Sequence, residues 1–124
     1  MPPRRLVLAF LALWGTLGLV VFVASVQTCV AALNGTLHGA APMHVALLAG
    51  VEAVAAALFL VPKTVRLGGI GLLITFAIAL IAHALAGEFP IILLLYAAGT
   101  VFVLVHGPVP LSWVRGRPAG APAA

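Results

Sequence analysis

Acidic residues are almost missing from this chain. It has no aspartate, and Glu52 and Glu88 are its only carboxylate side chains. Cysteine is reduced to Cys29, which excludes a disulfide within the chain and a CxxC redox pair. Charge of either sign is scarce: 6% of residues are charged, where soluble domains carry roughly 25%. What fills the space is apolar, 65% of the 124 residues. A chain this short cannot hide so much apolar surface from water, because small domains have a large surface for their volume. Its solvent is therefore lipid.

A bilayer core about 30 Å thick needs roughly 20 apolar residues per helix. Four stretches fit, at about 6–28, 43–61, 67–87 and 90–107. Pro42 stands before the second, Pro62 ends it and Pro90 opens the fourth, as expected for proline at helix boundaries. The expected fold is all-α: an integral-membrane antiparallel four-helix bundle, one domain over 1–108. A Pro/Gly/Ala-rich tail, 109–124, follows it. The connections PKTVR and EF are short, and 29–42 is the only long one, so there is no room for a soluble catalytic domain or a nucleotide site.

The net charge of +4 would suggest nucleic acid in a soluble chain. Here the positions of the six basic residues give another reading. Arg4 and Arg5 precede the first span, Lys63 and Arg66 lie between the second and third, and Arg115 and Arg117 follow the fourth. All fall on one side of a four-span arrangement. The positive-inside pattern then puts both termini in the cytoplasm, as in a multi-pass protein of a bacterial-type inner membrane. Trp113 beside Arg115 reads as an interfacial anchor on that side. The first apolar run far exceeds the h-region of a cleaved signal peptide.

Glu52 is the residue that asks for a reason. Counted from Met43 it lies about 13 Å into the second span. An acidic group there costs about 2.5–3.5 kcal/mol on insertion scales, so it faces the protein and finds a partner. His83, about 6 Å below the outer surface in the third span, is the nearest candidate in depth. His44 opens the second span, about 80° around the helix from Glu52. Small residues mark the faces that approach closely. They are Gly15, Gly18 and Ser25 in the first span, and Gly68, Gly71, Thr75 and Ala79 in the third, while Tyr96 and Thr100 mark the fourth. The expected intramembrane polar site is Glu52, His83, Tyr96 and His44. As the neutral acid, Glu52 could carry a proton or donate a hydrogen bond to a quinone-like carbonyl. The alternative is a single Glu–His or Glu–Tyr bond that fixes helix register.

Haem needs two axial ligands at one depth, and no HxxxH or HxxE pair brings them together. His83 and His106 lie at different depths, which leaves His44 with His83. A surface metal site would have to draw on His38, His44 and Cys29, with Met43. Neither haem nor metal is expected. Glu88, at the outer turn, is given no role.

The stretch 44–87 carries Gly50-x-Glu52, an apolar run ending in Pro62, the basic turn to Arg66, then Leu67, Gly68, Gly71, Ala82 and His83. In these residues the chain resembles the DoxX-like family of small four-helix membrane proteins. The resemblance implies membrane redox chemistry, since relatives are linked to thiosulfate:quinone oxidoreduction and to maturation of redox enzymes. It implies an accessory subunit of a quinone-linked complex, with other membrane subunits or further copies as partners. The family often has a glycine and a lysine near the outer end of the first span, and here that region reads SVQTCV. A purely structural subunit, packing on partners through Gly71 and Gly99, is the second expectation. A small oligomeric transporter or channel is the third.

Overall fold

The computed structural model describes residues 3–35 and 42–107. These form four helices: α1 Arg4–Leu33, α2 Pro42–Leu60, α3 Val65–Leu85 and α4 Ile91–His106. The described chain is all-α, and α1, α3 and Met43–Leu60 of α2 are long and apolar enough to cross a membrane. His38, Trp113, Arg115, Arg117 and the tail 109–124 lie outside the described residues.

Two helices differ in length from the sequence expectation. α1 has 30 residues, about 45 Å, and does not stop at residue 28. Nothing between Thr28 and Leu33 breaks a helix. It ends only where Asn34 caps it and Gly35 turns at φ 68°. Cys29 is therefore a helical residue, not part of a loop. α4 has 16 residues, about 24 Å, short of a bilayer core. Extended backbone at Pro90 and at Gly107 bounds it.

Each helix touches its neighbours in the order α1–α2–α3–α4, and α4 returns to α1. Numbers rise along one helix as they fall along the next. Trp14 reaches Phe59, Ser25 reaches Glu52 and Cys29 reaches Ala46. On the far side Gly69 lies against Leu104, and Phe76 pairs with Tyr96. α1 with α2 and α3 with α4 are thus two hairpins. They meet through Gly68 on Phe59, Gly71 on Ala55, Leu17 on Gly99 and Phe10 on Phe102. All four meetings fall toward the end that carries Arg4, Arg5, Lys63 and Arg66. The core lies there too, around Trp14, Val21, Phe59, Leu72, Phe76 and Val103. Leu6, Leu47, Ile70, Ile81 and Leu95 point outward. Apolar side chains on the outside suit lipid and not water.

Pro62 cannot donate a hydrogen bond, so the carbonyls ending α2 find other partners. Leu58 accepts from the Val61 amide and the Thr64 hydroxyl, and Phe59 accepts from the Trp14 indole at 2.8 Å. Trp14 is thereby a buried tie from α1 to the end of α2. Trp14→Phe keeps the ring and loses the donor, leaving the Phe59 carbonyl short of its partner. The expected cost is about 1–3 kcal/mol, read as a lower midpoint in detergent unfolding.

Three glycines of the small-residue faces are consumed inside the chain. Gly18 lies under Leu60, Gly71 against Ala55 and Gly99 against Leu17. Leucine at Gly71 or Gly99 would disturb this chain's own packing, so these positions do not report on contact with a partner.

Candidate functional site

Beyond the core the two hairpins separate, and a cavity of about 720 Å³ opens between them. Three helices wall it with the same helical stripe at i, i+3, i+4 and i+7. The stripes are Val21, Ala24, Ser25 and Thr28 on α1, Val45, Leu48, Ala49 and Glu52 on α2, and Ala79, Ala82, His83 and Ala86 on α3. α4 adds Ile92, Leu93 and Tyr96, and the turn before it adds Glu88 and Pro90. Alanines recur in these walls, and their short side chains leave the space between the helices unfilled.

Direction sorts the polar groups by depth. Glu52 ends its stripe on the core side, as Tyr96 does on α4, so both stand at the floor. His83 lies one turn above Ala79, about 6 Å nearer the mouth. The ring of Tyr96 rests on Phe76, with centroids 6.2 Å apart. Its hydroxyl makes no hydrogen bond to a described residue.

The partner of Glu52 is Ser25, with Oγ to Oε1 at 2.8 Å. The same Oγ lies 2.7 Å from the Val21 carbonyl oxygen, one helical turn back. Serine has a single hydroxyl proton for these two oxygens. It can donate to Glu52 when the carboxylate is ionised. It can donate to Val21 and accept from Glu52 when the carboxyl holds a proton. One side chain therefore serves Glu52 in either state, and Oε2 stays available to the cavity.

His83 has a different partner from the one expected. Its Nδ1 is 3.0 Å from Glu88 Oε2, an exposed pair at the mouth. The end of α3 accounts for it. Gly87 adopts φ 79°, the Glu88 amide donates to the His83 carbonyl and the Gly87 amide to Ala84. This glycine-ended helix terminus folds the residue after Gly87 back over the last turn. Glu88 therefore has a place in the site that its position at a turn did not suggest. Gly87 followed by a charged residue was the available signal.

Glu52 and His83 thus line one cavity without a hydrogen bond between them. His44 is exposed on α2 and is not part of the cavity wall. Cys29 donates to the Ala46 carbonyl at 3.5 Å and ties α1 to α2. His106 is exposed and bonds within α4, to the Phe102 carbonyl. Among the described residues no three His, Cys, Asp or Glu side chains gather as metal ligands.

The cavity offers an apolar wall, a carboxyl–hydroxyl pair and a phenol at its floor, and an imidazole–carboxylate pair at its mouth. Its volume falls within the range of small-molecule sites, roughly 300–1,000 Å³. Comparison with family models, with curated proteins and with solved structures finds no match in any of the three.

Proposed function

We propose that this chain is a small four-span protein of a bacterial-type inner membrane that binds a lipid-soluble, quinone-class ligand. It serves as an accessory subunit of a membrane redox complex. The observation that carries the reading is the cavity with Glu52 and Ser25 at its floor, apolar walls above them and His83 with Glu88 at its mouth. A polar head at the floor and a hydrocarbon body along the walls describe a quinone well. The helices are read as an antiparallel bundle with both termini in the cytoplasm. Support comes from the neighbour contacts and from the basic residues at the closed end. α4 is seated in the same bilayer, where a short helix is accommodated by local thinning. The DoxX-like resemblance joins this proposal through Glu52 and His83, which line one space. No catalytic side chain is assigned, since the oxidant and reductant belong to partner subunits.

Native mass spectrometry of the protein extracted gently from its own membranes tests this. Partner subunits or an added lipid-soluble mass are expected. A bare chain that also fails to bind a decyl-tailed benzoquinone would overturn the proposal.

A further inference from the structure

The reading of the cavity as a binding site leaves open how a ligand reaches it, and one seam answers. α1 and α4 touch where Leu17 meets Gly99: a Cβ on that glycine would lie 3.0 Å from the leucine side chain. Seven residues are two helical turns and return to nearly the same face. Two turns outward from Leu17 is Ala24, and two turns outward from Gly99 is Ile92. These two would meet if the helices ran on side by side. Instead both line the cavity and both are exposed, as are Thr28 one turn above Ala24 and Ala82, His83 and Ala86 of α3. What singles out the α1–α4 seam is that it is the most sparsely packed of the four neighbouring pairs. The α1–α2 seam is closed at this level by the Ser25–Glu52 and Cys29–Ala46 bonds. On the α2–α3 side the α2 border is Val45, Leu48 and Ala49, none of them exposed.

We infer that the cavity is filled sideways, through a slot between Ala24 of α1 and Ile92 of α4. Its occupant is a single-tailed, uncharged amphiphile. The head, bearing a hydrogen-bonding oxygen, passes in first and stops at Glu52 and Ser25, and the tail trails through the slot into lipid. Charge selects against other occupants: no lysine or arginine lines the cavity to hold an anionic headgroup, and the one histidine there, His83, already faces Glu88. The inference rests on the proposed binding role and adds the route and the shape of the ligand.

The experiment follows binding of a decyl-tailed benzoquinone to the protein in lipid nanodiscs, by stopped-flow quenching of tryptophan fluorescence. Ala24→Phe and Ile92→Phe narrow the slot without changing the tryptophan content. Both positions are exposed, so the fold tolerates them. Ala86→Phe places the same bulk at the outer mouth. Association slowed about tenfold in Ala24→Phe or Ile92→Phe, and by less in Ala86→Phe, supports the slot. Slowing by Ala86→Phe alone, or by none of the three, overturns the slot while the site stands. Absence of binding by the unaltered protein overturns the site, and the slot with it.

Discussion

Gly68→Ala is expected to cost about 3 kcal/mol or more in unfolding free energy, the upper part of the range for overpacking. One methyl group is enough because of what it would meet. A Cβ at Gly68 would overlap the Phe59 amide nitrogen and lie 2.6 Å from both the Ala55 oxygen and the Leu58 carbonyl carbon. These are backbone atoms of α2, and no rotamer change moves them. α3 would have to withdraw from α2, and the close meeting of the two hairpins would go with it. Gly15→Ala is the matched control. No atom lies within 4 Å of its Cβ position, so alanine there gains up to about 1 kcal/mol of helix propensity. Unfolding in mixed micelles reads both. Equal stability of the two variants would show that α2 and α3 do not approach this closely at Gly68.

Glu52→Leu is expected to move stability and binding in opposite directions. Ser25 keeps its bond to the Val21 carbonyl when the carboxyl is gone, so no buried polar group is stranded. Removing an acid from mid-membrane removes its insertion cost, and stability should rise by at least about 1 kcal/mol. Quinone affinity should fall roughly tenfold or more, the worth of one hydrogen bond in a water-poor site. Glu52→Gln separates two roles. Glutamine offers Ser25 an oxygen and the ligand a donor, but it cannot release a proton. Binding should persist in this variant while quinone-linked turnover of the complex drops. If Glu52→Leu instead lowers stability and leaves binding intact, the carboxyl is a register pin between α1 and α2. Unfolding midpoints and titrations on the same preparations decide between the two.

How much of this could be read beforehand varies with the kind of interaction. The helices were legible because apolar runs and Pro42, Pro62 and Pro90 are local signals. The end of α1 was not, since Gln27 and Thr28 interrupt the apolar run while helical backbone continues to Leu33. Two of the cavity-facing positions of α3, Ala79 and His83, fell on the stripe expected from spacing, while Ala82 and Ala86 did not. Partner choice did not follow. Ser25 meets Glu52 because α1 and α2 settle at one rotation and one axial offset, which many packed contacts decide together. His83 turns to Glu88 because of a backbone geometry at Gly87, five residues of purely local chain. That second pairing was within reach of the sequence, and depth arguments alone passed over it.

The helices bordering the slot also differ in reach. α1 is about 45 Å long and α4 about 24 Å. With both seated in one membrane, lipid beside α1 faces a helix longer than its core is thick, and lipid beside α4 a shorter one. A bilayer meets such differences by thinning, thickening or tilting the helix, at fractions of a kcal/mol per Å. On the proposed four-span seating, a step in membrane thickness would run along the line where Ala24 faces Ile92, and a lipid-dissolved ligand would meet the slot at that step. A thin membrane suits α4 and a thick one suits α1, so the lipid composition of the host membrane sets how steep that step is.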